Sequence, residues 1–205
     1  MLRFYYSTDS CAVASYIALA EVGADYEGVR MNMREGDQRK PDYLALNPKG
    51  RIPTLVTDHG VLTETPAILG YIAQAYPQSV LAFPADIFAT AQIQSFNAYL
   101  CSTHHVAHSM KFRGSRWADD PACIAEMRHK VPQTVTASYD MIQGHLFKGP
   151  WAMGETYTIC DPYLYTIEDW MEGDGVDLAR FPALTEHKRR MEERPAVRKL
   201  MAERG

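Results

Sequence analysis

The chain has 205 residues, 46% of them apolar and 22% charged, with a formal net charge of -4. That length and composition can bury the core of one large domain or two small ones without disulfides or metal, and the charge excludes a strongly basic nucleic-acid surface and gives no attraction to an anionic membrane. The first ten residues, MLRFYYSTDS, lack the basic start and apolar run of a secretion signal, and no window approaches the roughly 18 apolar residues that a membrane helix needs.

The first predicted element is a buried strand over Leu2 to Tyr6, a short apolar and aromatic run. Ser7 to Ser10 form a polar turn rich in helix-capping residue types. A helix follows over Cys11 to Val22, with Val13, Tyr16, Ile17 and Ala20 on one face and Gly23 placed to end it. Tyr26 to Met31 reads as a strand and Tyr43 to Leu46 as a short helix. Asn47-Pro48-Lys49-Gly50 is turn chemistry. Ile52 to Thr57 and Val61-Leu62, joined by Asp58-His59-Gly60, read as a hairpin. Glu64 to Tyr76 carries Ala67, Ile68, Tyr71, Ile72 and Ala75 at helical spacing. The order is β-α-β-α-β-β-α.

Pro77 to Pro84 reads as a linker, separating a domain over residues 1–77 from one over residues 85–205. Beyond it every pattern is helical. One long helix is predicted from Ile87 to about Arg113. A second runs from Ala118 to about Leu146, with Pro132 expected to kink or split it. Asp161 to Met171, Pro182 to Glu193 and Pro195 to Glu203 complete the set. Thr158 and Asp161 have capping-box spacing; if Thr158 is the cap, Pro162 loses the first intrahelical hydrogen bond, and if Asp161 is the cap, Pro162 takes the favoured first position. Cys11, Cys101, Cys123 and Cys160 make no CxxC pair and no zinc-like spacing, so free thiols in a reducing cytoplasm are expected. His104 and His108 share a helix face, but no HExxH pattern or carboxylate partner accompanies them, and no metal is expected there. His105 and His108 read as interface or surface residues, and Lys111, Arg113 and Arg116 as a solvated helix end or the lining of a cleft.

The stretch NPKGRIPTLVTDHGVLTETPAILGYIA resembles the signature of the glutathione transferase superfamily, in which a cis-proline follows an NP-G turn and an acidic-hydroxyl pair opens the third helix. YYSTDSCAVASYIALAEVG and FNAYLCSTHH are similar to the bacterial beta-class branch, with a cysteine at the head of the first helix and a histidine reaching back to the thiol. TYTICDPYLY resembles the superfamily's later capping motif. Arg51, Thr65 and His105 stand where that branch usually has glutamine, serine and lysine. The resemblance implies a thioredoxin-like α/β domain followed by an all-α domain, with glutathione as co-substrate, a homodimer and a cytoplasmic location.

The reaction it implies is attack of the glutathione thiolate on an apolar electrophile. Lowering a thiol pKa by about two units takes roughly 2.7 kcal/mol of preferential stabilisation of the anion, and a helix N-terminus with a hydroxyl or thiol donor can contribute to it. Ser10 and Cys11 are the expected donors, with Tyr6 as a competitor. Alternatively Cys11 is itself a low-pKa thiol that forms a mixed disulfide, giving thiol-disulfide reductase activity, or is a buried structural cysteine. A non-catalytic glutathione-binding or regulatory protein of the same fold is the rival from another class. The resemblance further implies that Pro53 is cis and that the backbone of Ile52, next to Arg51, pairs with the tripeptide. It implies that Thr65 and the third helix take the γ-glutamyl carboxylate, with Glu64 on the amino group and His104 near the sulfur or glycyl end. Phe112, Trp117 and Tyr165 are the candidate second-substrate contacts.

Overall fold

The structure is a computed structural model and describes residues 1–204. Four strands, β1 (Leu2–Tyr6), β2 (Tyr26–Arg30), β3 (Thr54–Thr57) and β4 (Gly60–Thr63), form one sheet in the order β2-β1-β3-β4. β1 runs parallel to β2 and antiparallel to β3, which pairs antiparallel with β4. The parallel pair is joined through helix α1 (Ala12–Glu21), and α2 (Pro41–Leu46) and α3 (Thr65–Ala75) precede and follow the hairpin. This is the thioredoxin-like order read from the sequence.

Ser10 starts α1: its Oγ accepts from the backbone N–H of Ala12 at 3.2 Å and donates to the Ser7 carbonyl at 3.0 Å. Gly23, at φ +63°, ends the helix in the left-handed conformation that glycine adopts without steric cost. Every residue from Ala12 to Leu19 is buried, not one face alone. The helix packs against the sheet, against α3 and against two helices of the later region, so no side of Ala12–Leu19 meets water.

From Ile87 onwards the described chain is built of helices joined by loops, the longest over residues 147–159: α4 (Ile87–Tyr99), α5 (His105–Arg113), α6 (Pro121–Met141), α7 (Cys160–Glu168), α8 (Pro182–Glu192) and α9 (Pro195–Arg204). The predicted single helix over 87–113 is interrupted by a π-helical turn at Leu100–His104. The helix containing Pro132 is neither split nor stopped there; α6 runs through it and ends in a second π-helical turn, Ile142–Leu146. Val131 and Val135 beside the proline are fully buried, and the Pro132 ring packs on the backbone at Gly175, whose φ is +78°. Packing on both sides outweighs one missing hydrogen bond.

Thr158 is the cap of α7: its Oγ1 accepts from Cys160 N–H at 3.2 Å, and Asp161 reaches back to the Thr158 N–H at 2.6 Å. Asp161 also accepts from Ala152 N–H at 2.7 Å and meets His187 Nε2 at 3.1 Å, while His187 Nδ1 lies 2.9 Å from Glu168. All three side chains are buried. Burial alone would lower the His187 pKa, but the Glu168 and Asp161 carboxylates more than offset it and hold it at about 10, so this histidine is a buried cation.

The last helix returns to the sheet. Glu203 accepts from the Tyr6 hydroxyl at 3.0 Å and from the Tyr16 hydroxyl, and Arg204 Nε donates to the Thr8 carbonyl at 2.9 Å. Arg194 grips Glu21 through two bonds of 2.6 and 2.7 Å.

Candidate functional site

Three local devices meet at one end of the sheet. The first is the capped start of α1, which carries Ser10 and Cys11. The second is the loop before β3. Asn47 Nδ2 donates to the Arg51 carbonyl at 2.7 Å and to Thr54 Oγ1 at 3.0 Å, and the Tyr43 hydroxyl donates to the Arg51 carbonyl and accepts from Thr54 Oγ1 at 2.8 Å. These contacts tie the loop from its inner side and leave Ile52 at the opening. The Ile52–Pro53 peptide is cis, as the resemblance implied; a second cis bond, Gly149–Pro150, has no sequence forewarning. The third is the entry to α3, where Glu64 has a left-handed φ of +71° and Thr65 is buried. Lys49 Nζ holds Glu64 at 2.6 Å and also donates to Thr63 Oγ1 at 2.6 Å.

These devices and α5 enclose a cavity of about 840 Å³, whose lining includes Ser10, Cys11, Arg51, Ile52, Pro53, Glu64, Thr65, Phe112 and Trp117. At its floor the Cys11 Sγ donates to the Ile52 carbonyl at 3.6 Å. Burial pushes the Cys11 thiol up to about 11, against a smaller opposing effect of its hydrogen bond with Thr65. It is therefore protonated at neutral pH, which favours the donor role over the alternative of a low-pKa thiolate. The sequence signal was a helix N-terminus, which lowers thiol pKa; desolvation outweighs it here.

Three expectations are corrected. Tyr6 does not reach the cavity, because its hydroxyl is taken by Glu203. Burial first, and then that carboxylate, push its pKa up to about 12. Tyr165 is 1% exposed and outside the lining, whereas Tyr163 belongs to it. Residues two apart on an α-helix point about 200° apart, so only one of the two can face the cleft.

His104 is fully buried and outside the cavity lining; its Nδ1 meets Ser138 Oγ at 3.1 Å and its ring packs edge-on against Tyr139. His105 and His108 line the cavity instead. The π-helical turn that ends at His104 holds one residue more than an α-turn, which rotates all later side chains by about 100°. Regular 3.6-residue spacing cannot anticipate this; the i, i+3 spacing of His105 and His108 is the signal that groups those two. Burial, then the charges of His108, Arg113, Arg116 and Arg51, lower the His105 pKa to about 4, so it is neutral at pH 7. His108 Nδ1 bonds the buried Asp174 at 2.6 Å, and its ring stacks on Trp170 at 4.1 Å.

A mixed four-stranded sheet with a cis-proline loop, joined to a helical region that closes one side of the cleft, defines the thioredoxin-like class with an all-α extension. Residues 3–74 match the family model described as "Glutathione S-transferase, N-terminal domain". The chain is 28% identical to glutathione S-transferase GstA of Escherichia coli O157:H7, with 100% of this chain and 99% of that protein covered. It is 32% identical to the maleylacetoacetate isomerase of Pseudomonas aeruginosa over 90% of this chain and 86% of the relative. Among solved structures, a glutathione transferase homologue from sulfitobacter with bound glutathione superimposes with a TM-score of 0.95 at 40% identity, covering 99% of this chain and 98% of that one. The chain belongs to the glutathione S-transferase family.

Proposed function

We propose that the chain is a homodimeric, cytoplasmic glutathione transferase that joins the sulfur of glutathione to a small, largely apolar electrophile. In this reading residues 1–77 form the glutathione-binding domain, and residues 85–205 form the helical domain that completes the electrophile site. The backbone of Ile52 pairs with the cysteinyl unit of glutathione as an added strand would. Thr65 and the N-terminus of α3 take the γ-glutamyl carboxylate, and Glu64, already oriented by Lys49, takes the amino group. The sulfur then lies over Ser10, Cys11 and the start of α1. His105 takes the place first given to His104, and Phe112, Trp117 and Tyr163 face the electrophile.

The observation that carries this reading is the Cys11 thiol, protonated between the head of α1 and Ile52, whose one S–H turns from the Ile52 carbonyl to the incoming sulfur when the tripeptide binds. A hydrogen bond to a charged partner contributes about 1.5–3 kcal/mol. One such bond together with the helix end is of the size needed to lower the glutathione thiol by about two units. The thiolate attacks the electrophilic carbon, and a leaving group departs with the bonding pair, or a proton is taken up where the substrate is an activated alkene. Calorimetric titration with glutathione tests the reading: heat of binding, competed by S-hexylglutathione, is expected, and its absence overturns it.

A second reading has Cys11 forming a mixed disulfide with glutathione in disulfide reduction. The disulfide-bond oxidoreductase YfcG of Escherichia coli, 24% identical over 96% of this chain, motivates it; the high Cys11 pKa speaks against it. In Cys11→Ala, loss of disulfide reduction with conjugation of a chlorodinitrobenzene probe retained favours this second reading. Glutathione binding with no turnover across a broad electrophile panel favours a non-catalytic binding protein.

A further inference from the structure

Arg51, Arg113 and Arg116 line the cleft. Among the described residues none of the three takes part in an ion pair. They are close enough to act on one another: burial, then the charges of Arg113, Arg51 and Arg39, lower the Arg116 pKa. A guanidinium cannot escape such a site by losing its proton, so partly desolvated like charges repel until an anion joins them. The cleft supplies little of its own. Its lining carboxylates are Asp9 and Glu64, and Glu64 is paired with Lys49. The net charge of -4 makes this a local positive field and not a property of the whole surface.

Exposed aromatics flank the two arginines of α5 and the turn after it, Phe112 before Arg113 and Trp117 after Arg116. Phe112 is 67% exposed and Trp117 47%, although both are large apolar side chains in a cavity wall. Flat apolar surface beside forked donors is the recognition chemistry of a planar body that ends in an acid, because a guanidinium matches a carboxylate with two parallel hydrogen bonds. We propose that the electrophile is itself an anion, an aromatic or unsaturated compound bearing a carboxylate or similar acid group, and that Arg113 and Arg116 hold that group while Phe112 and Trp117 cover its body. This rests on the reading of the cleft as a glutathione site.

The test is calorimetric titration of the full chain with glutathione, S-(4-carboxybenzyl)glutathione and the uncharged isostere S-(4-carbamoylbenzyl)glutathione. Wild type is expected to bind the carboxyl conjugate about tenfold more tightly than the carbamoyl one. That preference should shrink when salt rises from about 50 to about 500 mM, and should fall towards one in Arg113→Gln/Arg116→Gln, with circular dichroism reporting that the variant is folded. Equal or weaker binding of the carboxyl conjugate by wild type overturns the proposal. So does a preference unmoved by the double substitution, or a variant that loses glutathione by the same factor as the conjugate, which would assign the arginines to the tripeptide's own carboxylate. Failure of glutathione itself to bind wild type overturns the underlying reading, and is distinguished by that first titration.

Discussion

His187 is the one hydrogen-bond partner of the Glu168 carboxylate among the described residues, and replacing it by leucine removes that partner while keeping a side chain of similar bulk. Asp161 retains the backbone N–H groups of Ala152 and Thr158, but Glu168, at 2% exposure, is left without a donor. Burial already raises the Glu168 pKa; without the imidazolium it must take up a proton to stay inside. An ordinary glutamate titrates near 4.3, about 2.7 units below neutrality, so at about 1.36 kcal/mol per unit protonation at pH 7 costs about 3.7 kcal/mol. This lies inside the roughly 3–5 kcal/mol measured when one partner of a buried ion pair is removed. For a chain of this size it corresponds to a fall in Tm of roughly 7–15 °C.

A carboxyl whose folded pKa is raised contributes stability below its unfolded pKa and loses it as pH rises, so the deficit of the variant should shrink to about 1 kcal/mol at pH 5. His187, whose folded pKa is raised to about 10, contributes fully below its unfolded value of about 6.5 and loses that contribution progressively as pH rises from there towards 10, which offsets part of the variant's growing deficit above neutrality. Thermal melts of both proteins followed by circular dichroism from pH 5 to 8 provide the measurement. A Tm change below about 2 °C, or a deficit that does not vary with pH, would refute the assignment of His187 as a buried cation.

Alkylation of Cys11 by iodoacetamide, followed by peptide mass mapping, should be slow at pH 7 and accelerate as pH rises towards about 11; rapid labelling at pH 6–7 would contradict a desolvated thiol. His105→Ala should weaken glutathione binding roughly three- to tenfold, about 0.7–1.4 kcal/mol, in calorimetry. His104→Ala should instead act on stability, by roughly 2–4 kcal/mol in denaturant unfolding, because it empties a fully enclosed site in the bundle. Glu203→Gln removes a charged acceptor from two phenols and should cost about 2 kcal/mol. The Tyr6 pKa should then fall from about 12 yet stay above its usual value, because burial is the larger cause of its shift; tyrosinate absorbance against pH measures this.

Several features were legible because the signal is local. Ser10 before an apolar run, Gly23 after it, the NPKGRIP turn, and Thr158 three residues before Asp161 each act through neighbouring backbone groups. They mark where α1 begins and ends, where the sheet opens to the cleft, and where α7 is capped. The alternation of short apolar runs with helical spacing was enough for the β-α-β-α-β-β-α order, and the residues of NPKGRIP and of Cys11, Glu64 and Thr65 were enough to locate the cleft.

What stayed hidden depends on contacts between distant segments. Which of Tyr163 and Tyr165 faces the cleft is decided by what packs on each side of α7. The exchange of His104 for His105 comes from a π-helical turn that a regular period does not contain. Tyr6 is withdrawn from the site by Glu203, almost two hundred residues later in the chain, and Cys11 is held protonated by burial beneath segments from both halves of the molecule. Capping, turns and periodicity are short-range, so the residue order was enough for the strands, most of the helices and the segments that border the cleft. The tertiary structure alone decided which side chains enter the cleft and in which protonation state, because orientation and desolvation are set by everything packed around a residue.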